Sequence, residues 1–198
     1  MSGPLVSIIG PVGVGKTTLA GYLAEALPAR LIEEDYRGNA FLADAYGGLE
    51  QARLPAQMFF LLSRAAQLDR RGPGGLAVSD YAFCQDAIFA ARSLGGADLE
   101  AYARLAARVA PRVRSPDVLI HLDASEPTLL ARVARRGRPF ERFLDAALLS
   151  YLRREYDRAV AAADCPVLAV DCEQCNLLDA AQRQVVLERL RGMLKGRE

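Results

Sequence analysis

The feature that most constrains this 198-residue chain is a glycine-rich stretch near its N-terminus, residues 10–18 (GPVGVGKTT). It fits the G-x-x-x-x-G-K-[ST] pattern of phosphate-binding loops. The glycines let the backbone bend so that successive N–H groups point at phosphate oxygens, and the helix that follows adds its positive end. Lys16 supplies a point charge for the outer phosphates, and the Thr17 hydroxyl is a potential Mg²⁺ ligand. We therefore predict a nucleoside triphosphate site formed by Gly10, Val12, Gly13, Val14, Gly15, Lys16, Thr17 and Thr18.

The rest of the chain alternates short apolar runs with helical patterns, which is typical of a parallel sheet covered on both faces. Strands are predicted at 5–9, 29–33, 76–79, 118–122 and 167–170, and helices at 18–27, 54–68, 85–94, 99–109, from Pro127 onward, 144–163 and 180–194. Residues 34–48 are predicted to be irregular. We therefore expect one domain over residues 1–198, a three-layer α/β/α fold of the P-loop NTPase type with a five-stranded parallel sheet.

The composition is that of an ordinary globular protein, with 52% hydrophobic and 25% charged residues and a net charge of +1. This balance does not favour a nucleic-acid partner, and no apolar run is long enough to span a bilayer. No secretory signal pattern precedes the first strand, so we expect a cytoplasmic protein with cysteines as thiols. Cys172 and Cys175 have the spacing of half a zinc site, but no second Cys/His pair completes it, and we interpret the spacing as incidental.

Acidic residues follow three of the predicted strands, at the sheet edge where such folds bind ligands. They are Glu33-Glu34-Asp35, Asp80 and Asp123. Phosphoryl transfer needs an aligned nucleophile, an acceptor for its proton, a bound Mg²⁺ and neutralised phosphoryl charge. Glu34 and Asp80 are therefore interpreted as functional, whereas Asp123 is interpreted as a solvated acid at a strand end.

An arginine cluster surrounds Gly137 and Pro139, with members Arg132, Arg135, Arg136, Arg138 and Arg142. Arginines three or four residues apart share a helix face, and the Gly and Pro allow the segment to move. We predict an Arg-rich lid at about residues 132–142 that closes over the nucleotide. A solvated basic helix end would explain the same residues.

Together these residues resemble the deoxynucleoside kinase family, in particular its bacterial deoxyadenosine/deoxyguanosine kinase branch. In that family a strand-end Glu stands five residues before an Asn, as Glu34 does before Asn39, and this Glu takes the proton of the nucleoside 5′-hydroxyl. A Tyr then stands eleven residues before a Gln, as Tyr46 does before Gln57. The resemblance implies that Tyr46 holds the 3′-hydroxyl and that Gln57 makes two hydrogen bonds with the base.

The resemblance extends along most of the chain. Arg64 and Asp86 match an Arg–Asp pair that lies near the base in the purine- and cytosine-accepting members. Asp80 matches the strand-end acid, with an expected part in Mg²⁺ binding. The segment RVARRGRPFER matches the lid, which implies phosphate contacts from Arg132, Arg136 and Arg138 and a second 3′-hydroxyl ligand at Glu141. Phe41, Phe59, Phe60 and Phe89 are suited to sandwich a base, although a single phenylalanine is more often part of a core.

The implied function is ATP- and Mg²⁺-dependent phosphorylation of the 5′-hydroxyl of a deoxyribonucleoside, with a purine favoured over cytosine, by a homodimer. One departure concerns Tyr81, since many members have an arginine directly after the strand-end acid. Two other functions stay open: another small-molecule P-loop kinase, such as a nucleoside monophosphate kinase, and a nucleotide-binding regulatory module without catalysis. An acceptor monophosphate would need an arginine site in place of the sugar ligands Tyr46 and Glu141.

Overall fold

The computed structural model describes residues 3–195, and for Phe140 and Arg142 it describes the backbone only. Its strands are β1 (Leu5–Ile9), β2 (Arg30–Ile32), β3 (Ala77–Ser79), β4 (Val118–Asp123) and β5 (Val167–Asp171). Its helices are α1 (Lys16–Ala26), α2 (Leu42–Tyr46), α3 (Glu50–Gln67), α4 (Cys84–Ser93), α5 (Gly96–Val109), α6 (Glu126–Arg136), α7 (Ala146–Ala161) and α8 (Ala180–Lys195). Short 3₁₀ turns lie at Ala110–Arg112 and Pro139–Phe143.

The five strands form one sheet in the order β2-β3-β1-β4-β5, and every neighbouring pair is parallel. β1 lies at the centre, where Ser7 is in register with Ser79 of β3 and Leu119 of β4. The chain builds one half of the sheet first and then crosses β1 to build the other. Such a reversal of strand order opens a crevice at the carboxyl ends of the strands, where α/β folds bind their ligands.

Alternate side chains of β1 enter different apolar layers, because successive residues of a strand point to opposite faces. On one face, Val6 and Ile8 pack in a cluster with Leu19 and Leu23 of α1 and with apolar residues of α6 and α8. On the other face, Ile9 packs with residues of α4 and α7. Helices therefore cover both faces, and the predicted three-layer fold is confirmed.

The predicted helix boundaries need several corrections, and α5 begins at Gly96 instead of residue 99. The stretch predicted to be irregular contains a helix, α2, five residues long. Helix α3 begins at Glu50 instead of residue 54, and Pro55 lies inside it, where it removes one backbone hydrogen bond. Helix α1 begins at Lys16, two residues earlier than predicted, directly after the loop glycine Gly15.

No helix among residues 3–195 is long and apolar enough to cross a bilayer. The carboxyl ends of the central strands instead carry the polar residues singled out above. Lys16 follows β1, Glu34 follows β2 and Asp80 follows β3. Because the strands are parallel, these three side chains gather at one edge of the sheet.

Candidate active site

The phosphate-binding loop has the backbone conformation that only glycine adopts easily. Gly10, Gly13 and Gly15 have φ angles of 144°, 87° and 111°. A Cβ at Gly10 would overlap the carbonyl oxygen of Leu122 in β4. The Lys16 amine donates to the carbonyl oxygens of Gly10 (2.7 Å) and Pro11 (3.0 Å). Burial lowers the pKa of Lys16 to about 8, although the Glu34 and Asp80 carboxylates oppose this effect.

A hydroxyl and a carboxylate lie side by side next to this loop. Thr17 Oγ1 donates to Asp80 Oδ2 at 2.6 Å, and the other carboxylate oxygen accepts the backbone N–H of Glu34 at 2.9 Å. Burial raises the pKa of Asp80, while these two hydrogen bonds act against the shift. Mg²⁺ in nucleotide sites uses one or two such oxygens together with water and phosphate oxygens. The pair therefore suits a magnesium ion that arrives with a triphosphate.

The Glu34 side chain belongs to a buried charge network. The Arg64 guanidinium donates to Glu34 Oε1 and, at 2.5 Å, to Asp86 Oδ1. Arg64 is 3% exposed and Asp86 1%. Burial raises the pKa of Asp86 to about 6, with the Arg64 charge opposing the shift. For Arg64, burial acts to lower the pKa, but the charges of Glu34 and Asp86 outweigh it and raise the pKa. One cation thus holds two carboxylates beside the loop.

A cavity of about 220 Å³ opens next to this network. Its wall includes Glu34, Tyr46, Gln57, Arg64 and Glu141. Phe60 and Phe89 add aromatic surface, and Lys16 and Thr17 close the end nearest the phosphate-binding loop. Burial and the neighbouring Glu34 and Glu141 carboxylates raise the pKa of Tyr46, which keeps its hydroxyl protonated.

A second cavity, of about 460 Å³, lies over the N-terminus of α1. It is lined by Gly13, Val14, Gly15, Lys16, Thr17, Thr18, Arg132, Arg135, Arg136, Arg138, Asn176, Leu177 and Leu178. Positive side chains and backbone N–H groups dominate this wall, as an anionic ligand requires. The two cavities share five lining residues, Gly13, Lys16, Thr17, Arg136 and Arg138, which form the junction between them. A group at this junction can contact a ligand in either cavity.

The arginines of the predicted lid are held at this junction by a buried carboxylate. Arg136 makes a two-pronged contact with Glu141, at 3.0 Å and 2.5 Å, and Arg138 lies 3.5 Å from the same carboxylate. The Arg138 guanidinium also stacks over the Tyr36 ring at 4.1 Å. Arg132 donates to the carbonyl oxygens of Val14 (3.3 Å) and Cys172 (2.8 Å). The predicted contribution of Arg142 lies outside the described side chains.

Most of the predicted site residues come together around the two cavities, but Phe41, Phe59, Asp86 and Gly10 do not line them. Phe41 is 45% exposed just before α2. Asp86 accepts a hydrogen bond from Arg64, and the Gly10 carbonyl accepts one from Lys16. Asp123 forms a two-pronged ion pair with Arg153, at 2.8 Å and 2.7 Å, instead of being freely solvated as predicted.

Cys172 and Cys175 are both free thiols. Cys172 is buried, and burial raises the pKa of its thiol to about 12. No group of three or more His, Cys, Asp or Glu within the described part of the chain has a metal-binding arrangement. A thiol with so high a pKa is a poor nucleophile and a poor metal ligand at neutral pH.

The sequence analysis missed two residues that contact predicted site residues. Gln85, in the first turn of α4, lines the first cavity and donates to Glu34 Oε1 at 3.2 Å. Tyr36, two residues after Glu34, lines the same cavity beneath Arg138. The available signal was position, since both residues follow strands whose carboxyl ends meet at the site. The segment 176–178 (Asn-Leu-Leu), which lines the second cavity, gave no motif signal.

The loop, the strand-end carboxylates and the two joined cavities define an α/β phosphotransferase of the P-loop class. The deoxynucleoside kinase family model matches residues 6–194. A deoxyguanosine kinase of Bacillus subtilis (strain 168) is 33% identical over 178 residues, covering 85% of this chain and 86% of that protein. The deoxyadenosine/deoxycytidine kinase of the same organism is 29% identical over 185 residues, covering 88% and 85%.

Solved structures show the same fold. A deoxyadenosine kinase from M. mycoides, with the products dCMP and dCDP bound, superposes with a TM-score of 0.81 at 22% identity, covering 96% of this chain and 99% of that one. The chain belongs to the deoxynucleoside kinase family. It is a kinase that phosphorylates the 5′-hydroxyl of a nucleoside, with ATP as the donor that this family implies.

Proposed function

We propose that this kinase uses Mg²⁺ and ATP to phosphorylate a purine deoxyribonucleoside, deoxyguanosine or deoxyadenosine, and that Glu34 is its general base. The observation that carries the proposal is the position of Glu34. Its carboxylate lines the first cavity within the electrostatic reach of Lys16, at the end where the two cavities meet. A nucleoside whose 5′-hydroxyl points to this end would lie between a proton acceptor and the γ-phosphate.

The other residues of the first cavity suit a deoxyribonucleoside. Tyr46 and Glu141 would hold the 3′-hydroxyl, one as a donor and the other as an acceptor. Gln57 offers a donor and an acceptor to a base edge, and its Oε1 is buried without a hydrogen-bond partner in the described structure. The ion pair of Arg64 with Asp86 would add donors near the base. Phe60 and Phe89 would pack on the base faces.

The second cavity suits the triphosphate. Backbone N–H groups of the loop and the Lys16 amine would bind its phosphates, and Arg132 would contribute charge from α6. Thr17 and Asp80 would hold Mg²⁺, which supplies charge neutralisation on the phosphates. We propose that residues 132–142 act as a lid that excludes water and turns Arg136 and Arg138 toward the transferred group.

The preference for a purine rests on two supports. The Arg64–Asp86 pair matches the pair of the purine- and cytosine-accepting members, and the first of the two compared relatives is a deoxyguanosine kinase. The second relative is named for deoxyadenosine and deoxycytidine, so deoxycytidine is the substrate to compare against the purines.

The test is phosphate transfer from Mg-ATP to the four deoxyribonucleosides and their monophosphates, with Glu34→Gln and Glu33→Gln side by side. Glu33 is the matched control, because its side chain is exposed and does not line the cavity. We expect transfer to deoxyguanosine or deoxyadenosine, reduced about 10²- to 10⁴-fold by Glu34→Gln and unchanged by Glu33→Gln. Transfer to monophosphates alone would make this a nucleoside monophosphate kinase, and full activity of Glu34→Gln would remove Glu34 as the base.

We also propose that the enzyme is a cytoplasmic homodimer without a nucleic-acid partner. The helices α3 and α5 expected at a dimer interface place several apolar residues against each other, including Leu61 and Tyr102, and those residues serve the core. Leu62 of α3 is 48% exposed and is available for a second copy. Light scattering after gel filtration of the native protein and of Leu62→Glu measures the oligomeric state. A native monomer would refute the dimer.

A further inference from the structure

The position that carries an arginine in many family members carries a residue here that cannot replace it. Tyr81 follows Asp80 and is fully buried. Its hydroxyl donates to Gln67 Oε1, and its ring faces the Arg64 guanidinium at 5.3 Å. Tyr81 lines neither cavity. No cation therefore reaches the Glu34 carboxylate from this position.

A neutral side chain reaches Glu34 from the next helix. Gln85 is 4% exposed, lines the first cavity and donates from Nε2 to Glu34 Oε1 at 3.2 Å. Turning the amide around would place its oxygen against the carboxylate, so the contact fixes the orientation of the amide. In this orientation Gln85 Oε1 is buried without a hydrogen-bond partner in the described structure. A buried acceptor of this kind costs stability, so fold stability alone does not account for the glutamine.

Both donors to Glu34 bind the same oxygen atom. The Arg64 guanidinium and the Gln85 amide donate to Oε1, and no hydrogen bond of the described side chains goes to Oε2. We infer that Gln85 is a positioning residue for the catalytic base: together with Arg64 it fixes Oε1 of Glu34, so that Oε2 faces the nucleoside 5′-hydroxyl. This inference rests on the proposed role of Glu34.

In the proposed reaction the proton and the phosphoryl group move in opposite directions from the 5′-hydroxyl and from ATP. The 5′-O–H bond breaks and its proton passes to Glu34 Oε2, while the 5′-oxygen forms the bond to the γ-phosphorus and the bridging oxygen leaves with ADP. Because the amide of Gln85 is neutral, it orients Glu34 without adding a second positive charge beside the carboxylate.

The experiment compares kcat and the KM values for ATP and nucleoside at pH 7 for the native enzyme, Gln85→Met and Gln85→Glu. Methionine keeps the length of the side chain without a donor, and glutamate places a like charge beside Glu34. We expect kcat to fall about 10- to 100-fold in Gln85→Met, with the KM for ATP unchanged. Gln85→Glu should lower kcat further, because its carboxylate cannot donate to Glu34 and repels it.

Gln67→Met is the matched control, since this amide contacts the Tyr81 hydroxyl and the Glu33 carbonyl but not Glu34. It should leave kcat unchanged, and thermal unfolding checks that each variant is folded. An unchanged kcat in folded Gln85→Met would overturn the inference. A changed ratio of activities on the four bases would also overturn it and assign Gln85 to base recognition. Failure of the native enzyme to phosphorylate any nucleoside refutes the proposed function instead.

Discussion

Replacing Arg64 by methionine tests the buried charge network most directly. Arg64 is the cation between the Glu34 and Asp86 carboxylates, and its side chain also stacks on the Phe60 ring at 4.8 Å. Methionine fills much of the same volume without the charge. The change leaves Asp86, which is 1% exposed, without its ion-pair partner. Removing one member of a buried pair destabilises a protein by about 3–5 kcal/mol, and we expect Arg64→Met to fall in this range at pH 7.

The stability loss in Arg64→Met should also depend on pH, because Asp86 titrates. The pKa of Asp86 is raised from 3.8 to about 6 in the native enzyme, and loss of Arg64 raises it further. A carboxyl with a raised pKa holds a proton in the folded state that the unfolded state releases, so stability falls as pH rises through that window. Between pH 6 and 7 the Asp86 term should therefore change by up to about 1.4 kcal/mol in Arg64→Met and by much less in the native enzyme.

Urea denaturation at pH 6 and pH 7 measures both effects. The double variant Arg64→Met with Asp86→Asn should lose the extra pH dependence and recover part of the stability, because residue 86 no longer carries a charge that must be buried. Arg112→Met removes an arginine that is 63% exposed and should leave the midpoint within error. A loss below about 1 kcal/mol in Arg64→Met, or the same pH dependence in the double variant, would refute the reasoning.

Three further predictions concern the phosphate-binding loop. The pKa of Lys16 is about 8 without nucleotide, and phosphates stabilise its charged form, so ATP binding at pH 8 should take up about half a proton. Titration calorimetry in two buffers of different ionisation enthalpy measures this uptake. Equal binding heats in the two buffers would contradict the prediction. Gly10→Ala should destabilise the fold by about 2–4 kcal/mol in urea denaturation, whereas Gly21→Ala, whose Cβ meets no atom within 4 Å, should stabilise it by up to about 1 kcal/mol. Asp80→Asn should raise the Mg²⁺ concentration for half-maximal activity about tenfold or more, and Thr17→Ser should not; an equal requirement in both would exclude Asp80 from metal binding.

The fold was predictable because local signals agree along the chain. The apolar run 5–9 and the glycine loop fixed the first strand–loop–helix unit, and the four later strands lie within two residues of their predicted bounds. The pattern did not predict α2, because a five-residue helix has too few positions to show a helical period. The order of the strands in the sheet could not be predicted either, because it depends on which strand edges pair and not on the sequence of any single segment.

The site was predictable wherever a residue follows a strand or belongs to a spaced motif. Glu34, Asp80 and Lys16 meet as expected because parallel strands end at the same edge. Gln85 was missed because its role depends on which way one amide points, which is a tertiary contact. Phe41 shows the opposite failure, since an aromatic side chain near the site in sequence faces solvent in space.

The wall common to the two cavities has a thermodynamic consequence. Arg136 and Arg138 line both cavities, and the Glu141 carboxylate that restrains them lines only the first cavity. A ligand that displaces Glu141 from these guanidiniums changes the cations that the other ligand meets. The two binding free energies are therefore not additive, and linkage makes the coupling reciprocal: whatever factor ATP applies to the affinity for the nucleoside, the nucleoside applies to the affinity for ATP.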